Sequence, residues 1–253
     1  MAVEPPPRLM GALDGRVAIV TGSSSGIGEA VARSFAAEGA GVVVNSSASV
    51  DTGKQVAASL ADALYVQGDV SSDSDCHRLV DAAVERWGRV DILVNNAGTT
   101  KVIPHGDLDA VTDDVWRRIL DVNVLGTWHM TRAAVPHLKA SGHGSVVNIT
   151  SIAGLRPTGS SIPYAVSKAG LNHMTLLLAN VLGPEIRVNA VAPGLVDTPW
   201  TADWDEIRQR VTQTAPLRRS GQPADIAEAC LGLVTSGYVT GQVLAVDGGT
   251  TLR

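Results

Sequence analysis

The sequence predicts an α/β fold: one doubly wound domain with a parallel sheet of about seven strands and helices on both faces. Three observations predict it. Short apolar runs of four to six residues alternate with amphipathic stretches from residue 17 to the end. The runs are apolar almost throughout, as strands buried on both faces must be. The helical stretches between them are the crossovers that parallel strands require. A chain of 253 residues is within reach of one such domain. Residues 1–14, rich in proline, read as a flexible tail, and 15–253 as the domain.

The elements follow in order. Val17 to Val20 is the first strand, then a Gly/Ser turn and the helical pattern Ile27 to Ala37. Gly41 to Val44 is the second strand, followed by a helix through Val56 to Leu60. Ala63 to Val66 is the third strand, and a helix around Cys76 to Trp87 leads into Ile92 to Val94. A long helical pattern, Val115 to Leu138, contains Pro136, which predicts a kink or an end there. Ser145 to Ile149 is the fifth strand. The helix Ile162 to Leu182 feeds the strand Arg187 to Val191. Helical segments at Asp205 to Val211 and Pro223 to Leu233 precede the last strand, Val243 to Val246.

Composition narrows the function. The hydrophobic fraction of 45% and charged fraction of 18% are those of an ordinary globular protein. A net charge of -5 and the lack of a basic cluster argue against a nucleic-acid partner. Cys76 and Cys230 lie far apart and predict neither a disulfide framework nor a thiolate metal site. The scattered histidines offer no ligand spacing, so no metal is expected. There is no signal-like amino terminus and no apolar run of ~18 residues, so a cytoplasmic protein without a membrane span is expected.

The first strand runs into Thr21-Gly22-Ser23-Ser24-Ser25-Gly26-Ile27-Gly28 and then a helix. Gly22 permits a tight turn, Gly26 a close approach of backbone to pyrophosphate, and Gly28 close packing of the helix. The N–H groups of this turn and the positive end of the helix dipole then face an anion. Its place between the first strand and first helix favours a dinucleotide over a ligand-free turn. The second strand ends Val44-Asn45-Ser46-Ser47, without the carboxylate that usually selects NAD. Nothing there repels a 2′-phosphate, and Ser46 and Ser47 can donate to one, which favours NADP(H). No arginine or lysine lies nearby in sequence, so NAD(H) stays open.

Tyr164 and Lys168 lie four apart on one helix face. An ammonium beside a phenol favours the phenolate and draws its pKa from near ~10 toward neutrality. Such a tyrosine can give a proton to an alkoxide or take one from an alcohol. Ser151 follows the fifth strand, at the sheet edge where ligands of such folds bind. Asn95-Asn96-Ala97-Gly98 closes the fourth strand and reads as a floor for the cofactor. Asn123 sits inside the long helix, an unfavourable place for asparagine, where it is solvated or orders a water toward Lys168.

Together these residues resemble the short-chain dehydrogenase/reductase family, from about Gly15 to Gly249. They are TGSSSGIG at 21–28, Asp69, NNAG at 95–98, Asn123, Ser151, Tyr164 with Lys168, and Pro193-Gly194 with Thr198. The resemblance implies a Rossmann-type sheet in the order 3-2-1-4-5-6-7 and a catalytic tetrad of Asn123, Ser151, Tyr164 and Lys168. It implies that Asp69 and Val70 contact the adenine, that Asn96, Ala97 and Gly98 floor the cofactor, and that Lys168 holds the nicotinamide ribose. Pro193, Gly194, Val196 and Thr198 would line the nicotinamide and its phosphate, and residues 198–220 would form a substrate lid. The carboxyl end resembles the 3-oxoacyl-carrier-protein reductase-like branch. That implies a homotetramer, or else a dimer, built from the helices around 115–138 and 162–182 and the last strand. The expected activity is hydride transfer between a nicotinamide and a carbonyl or secondary alcohol, with Tyr164 as acid/base, in a reductase of ketones or 3-oxoacyl thioesters. An alcohol, sugar or steroid dehydrogenase and a non-catalytic dinucleotide sensor are the alternatives.

Overall fold

The computed structural model describes residues 11–252. One sheet holds β1 (Val17–Val20), β2 (Gly41–Ser46), β3 (Ala63–Gln67), β4 (Ile92–Asn95), β5 (Gly144–Ile149), β6 (Ile186–Pro193) and β7 (Val243–Val246). Every neighbouring pair is parallel, in the order β3-β2-β1-β4-β5-β6-β7 that the sequence predicts. The order reverses between β1 and β4, which opens a crevice at their carboxyl ends.

The helices are α1 (Gly26–Ala37), α2 (Val50–Ala58), α3 (Asp73–Trp87), α4 (Asp113–Leu120), α5 (Gly126–Ala140), α6 (Ile162–Leu182), α7 (Asp205–Thr214) and α8 (Pro223–Thr235). Alternation along β1 feeds two cores. Ala18 and Val20 join Val31 and Phe35 of α1 and Ile226 and Cys230 of α8. Val17 and Ile19 join Leu79 of α3 and Met130 and Leu138 of α5. Burial on both faces holds for every residue of β1, β2, β4 and β5. Strands β3 and β7 are the sheet edges and stay partly exposed.

Two expectations are corrected. The tail assigned to 1–14 gives way to folded structure by residue 11, because Leu13 is fully buried in the core against α1. The amides of Ala12 and Leu13 donate to Glu38, to Oε2 at 3.3 Å and to the carbonyl at 2.9 Å. Residues 1–10 lie outside the described residues. The long helix breaks not at Pro136 but at Asp121–Leu125, a π-helical segment between α4 and α5. Pro136 is carried inside α5, which runs on to Ala140. The break falls where Asn123 meets the site, a common setting for such a bulge.

At the amino ends of the strands, opposite the crevice, Asp91 has a side chain with 0% exposure. It accepts from the Val17 amide at 2.8 Å and from the Arg89 guanidinium at 2.8 and 2.6 Å. Its own amide donates to Val17 and its carbonyl accepts from Ser145, so one residue ties β1, β4 and β5.

Candidate active site

The turn after β1 is shaped by glycine at three positions. Gly22 and Gly26 have φ of 62° and 58°, open to glycine at little cost. A Cβ on Gly28 would stand 2.4 Å from both Asn96 Nδ2 and the Gly22 carbonyl, so the turn closes against the floor loop only without one. That loop is bolted to it. Asn96 Nδ2 donates to the carbonyls of Thr21 and Gly22 at 2.9 Å each, and Thr21 Oγ1 accepts from the amides of Asn96 and Ala97 at 3.0 Å. Ser25 is the extended N-cap of α1 and makes no side-chain capping bond. The first-turn amides of α1 therefore point outward without helical partners. This donor set, beside a glycine that leaves room for backbone approach, fits the pyrophosphate of a dinucleotide.

Asn45 and Ser46 are more committed to the protein than the sequence suggests. Asn45 Oδ1 accepts from the Gly22 amide at 3.2 Å, while Nδ2 donates to the carbonyls of Val66 and Gly68 at 3.1 Å. Asn45 thus clamps the turn. Ser46 donates to the Ser49 carbonyl and meets the Tyr65 hydroxyl at 2.9 Å, which leaves Ser47 as the freer donor. Asp69 and Val70 line the same end of the cleft, with Ser24, Ser25 and Ile27. Burial pushes the Asp69 carboxyl up, but the amide and hydroxyl of Ser71 and the Arg118 guanidinium outweigh it and hold the pKa below its ordinary value.

The catalytic candidates come from separate elements. Ser151, just beyond β5, caps a short 3-10 turn, its Oγ accepting from the Ala153 amide at 3.1 Å. Tyr164 lies in the first turn of α6, where Ser161 accepts from its amide. Lys168 is 4% exposed, and its Nζ donates to the Ile149 carbonyl at 2.8 Å. Asn123 is fully buried and its amide is spent: Oδ1 accepts from the Thr99 amide at 2.8 Å, and Nδ2 donates to the Thr99 carbonyl and to Ser167 Oγ. Its side chain fixes the floor loop to α6 rather than facing solvent. Pro193 and Gly194 close β6, the Gly194 amide donating to the Val246 carbonyl at 3.0 Å. Thr198 faces Gly26, with its side chain 3.4 Å from where a Cβ would stand, and Val196 is buried beneath it.

One electrostatic expectation is corrected. Burial raises the Tyr164 phenol above its ordinary value, and the hydrogen bond with Ser151 offsets this only in part. The Lys168 ammonium sits 5.7 Å from the ring centroid, bonded to a carbonyl, and burial pushes its own pKa down to about 8.

The predicted site residues other than Gly28 and Asn123 line one cleft of about 840 Å³, while those two lie behind its wall. Its far wall includes groups the sequence left aside. Trp200 packs edge-on against Tyr164 with centroids 6.4 Å apart. Trp204, Ile207, Val211 and Thr214 of the lid region follow, and His105 stands on the wall from the loop beyond NNAG. The three-to-four spacing of 204, 207, 211 and 214 is the sequence signal that marks this face. Arg208 pins α7 by donating to Asp197 at 2.8 Å and to the Thr201 carbonyl at 3.0 Å.

Comparison with known proteins agrees with this geometry. A family model described as enoyl-(acyl carrier protein) reductase matches residues 22–251. The chain is 63% identical over 239 residues to a Streptomyces violaceoruber protein named as ketoacyl reductase 2 of the granaticin polyketide synthase, covering 93% of this chain and 96% of that protein. The chain belongs to the short-chain dehydrogenase/reductase family. This short-chain dehydrogenase/reductase is also 37% identical over 248 residues to the 3-oxoacyl-acyl-carrier-protein reductase of Thermotoga maritima, covering 95% and 99%. A solved structure from Brucella melitensis, a short-chain dehydrogenase/reductase of the glucose/ribitol dehydrogenase type, superposes with a TM-score of 0.89 at 30% identity, covering 96% of this chain and 99% of that one. The short-chain dehydrogenase/reductase described here is an NAD(P)-dependent oxidoreductase.

Proposed function

We propose that this enzyme reduces a ketone or a 3-oxoacyl thioester, with Tyr164 as the proton donor. The observation that carries the reading is the convergence of Tyr164, Ser151 and Lys168 on one cleft with the glycine turn. When bound, the dinucleotide supplies the hydride. Gly22, Ser24, Ser25, Gly26, Ile27 and Gly28 hold its pyrophosphate, Asp69 and Val70 its adenine end, and Pro193, Gly194, Val196 and Thr198 its nicotinamide end. Ser151 Oγ donates a hydrogen bond to the substrate oxygen. Tyr164 Oη gives that oxygen a proton as it gains charge, so the carbonyl becomes an alcohol. A phenol held above its ordinary pKa keeps its proton at neutral pH, which suits a donor and hence reduction. Lys168 holds positive charge beside the developing phenolate, and Asn123 positions the floor loop and α6.

The pH dependence follows from Lys168. Its pKa is lowered to about 8, so the ammonium is present below that pH and lost above it. We expect kcat/KM for ketone reduction to fall on the alkaline side with a midpoint near pH 8, the pKa to which burial lowers this lysine. In Lys168→Arg, whose guanidinium stays charged, the alkaline limb should move upward. A limb at the same pH in both proteins would assign it to another group.

NADP(H) is the cofactor we infer. No carboxylate stands at Ser46 or Ser47, and Ser47 together with the start of α2 presents donors to a 2′-phosphate. Fluorescence titration at equal salt should show NADPH binding about tenfold more tightly than NADH, the scale of one charge-assisted hydrogen bond. Ser47→Asp should reverse the order. Tighter NADH binding by the unaltered protein would point to alcohol oxidation instead.

We also infer a cytoplasmic homotetramer. Helices α5 and α6 expose Trp128, Val166, Leu176, Leu177 and Val181, and β7 exposes Leu244, apolar surface of the kind subunits cover. No helix among the described residues is long and apolar enough to cross a membrane.

A further inference from the structure

The substrate half of the cleft carries a cation that no group among the described residues neutralises. The basic side chains lining the cleft are Lys168, Arg118, His105 and Arg210. Lys168 is bonded to the Ile149 carbonyl. Arg118 stands 3.6 Å from Asp69, the one carboxylate among the described residues that lines the cleft. Arg210 has no such partner among the described residues; its recorded bond is through its carbonyl, which accepts from Thr214. Its neighbour Arg208 shows what an arginine on this helix does when its role is structural. It is held by Asp197, Asp205 and the Thr201 carbonyl.

Arg210 is exposed at the mouth of the cleft, where it is open to both solvent and an entering ligand. Trp204 caps α7, and Ile207, Val211 and Thr214 follow at helical spacing along the cleft. Arg210 lies at the edge of this stripe and still lines the cleft. From Trp204 to Arg210 the helix advances about 9 Å, at 1.5 Å per residue. Trp200, next in the wall, touches Tyr164 edge-on at 6.4 Å. The wall therefore runs from the proton donor, across two indoles and an isoleucine, to an unneutralised guanidinium.

We propose that Arg210 is an anion subsite that selects the substrate. The substrate is a ketone whose reacting carbonyl lies at Tyr164 and Ser151, whose apolar body lies along Trp200, Trp204 and Ile207, and whose far end carries a phosphate or carboxylate. The carbonyl end rests on the reductase reading above; the anion end does not. A neutral polyol or an uncharged polycyclic alcohol gives Arg210 nothing to bond, whereas a planar guanidinium matches a carboxylate or phosphate bidentately.

The test has two arms on the full chain, the binding arm with NADP saturating and the kinetic arm with NADPH saturating as the hydride donor. Calorimetric titration compares hexyl phosphate, hexanoate and hexan-1-ol in the unaltered protein, Arg210→Gln and Arg210→Lys. The anions should bind at least about tenfold more tightly than the alcohol, Arg210→Gln should erase that margin, and Arg210→Lys should keep part of it. Comparison of the first two ligands separates a phosphate end from a carboxylate end. The second arm measures reduction of 7-oxooctanoate against its methyl ester. The acid-to-ester ratio of kcat/KM should drop about tenfold in Arg210→Gln. Equal margins and equal ratios in all three proteins would overturn the subsite. An intact calorimetric margin with neither ketone reduced would overturn the reductase reading and leave the subsite standing.

Discussion

Tyr164→Phe should lower kcat for ketone reduction by about 10² or more, the scale of a lost general acid. The substitution removes only Oη. The ring that packs edge-on against Trp200 remains, so the cleft wall keeps its shape. Lys168 keeps its bond to the Ile149 carbonyl, which does not involve the phenol. NADPH affinity should therefore stay within about twofold, a change small on the scale of one hydrogen bond. Steady-state kinetics and cofactor titration on the same preparation check both halves. Turnover that survives at wild-type level would remove Tyr164 from proton transfer and leave Ser151 or a solvent path as donor.

The largest stability effect is expected far from the chemistry. Asp91→Ala removes a fully buried carboxylate, leaving the Val17 amide without its side-chain acceptor and the Arg89 guanidinium unpaired. Breaking a buried pair costs about 3–5 kcal/mol. The Arg89 side chain is 41% exposed and can return to water, which places the loss near the lower bound, about 3 kcal/mol. For a domain of this size that is a fall in Tm of roughly 6–12 °C. Asp91→Asn keeps an acceptor for Val17 and should lose less than half as much. Activity at 25 °C should be unaffected, because Asp91 sits at the opposite ends of the strands from the cleft. A thermal melt within a degree of the unaltered protein would show that β1, β4 and β5 hold together without this tie.

Much of this was legible in the sequence, for reasons that differ by element. Strands such as Val17–Val20, and Ile92–Asn95 up to its closing asparagine, announce themselves because both faces are buried and the run is apolar. The glycine turn is legible because Gly22 and Gly26 answer a local demand, the positive φ of the turn itself. Long-range demands are not written locally. Nothing around Asn123 says that its amide will be consumed by Thr99 and Ser167, so the helix break was placed at Pro136. The Tyr164–Lys168 spacing gives proximity but not burial, and burial decides the direction of the phenol's pKa. Leu13 looked like part of a tail because its pocket is made by residues far along the chain.

The position of β1 at the middle of the sheet has a consequence for how the binding surface comes into being. Ala18 pairs with Val42 on one side and with Ile92 on the other, and the cleft draws its lining from Gly22 through Thr250. Pairing of such distant segments is slow to nucleate, because loop closure must precede the contacts that reward it. A ribosome-bound or proteolysed fragment ending before β6 lacks Pro193, Gly194, Val196 and Thr198 altogether. The lining of the cleft is therefore complete only once β6 and the residues after it have been made. A dinucleotide bound along this lining would stabilise the finished topology over the unfolded chain.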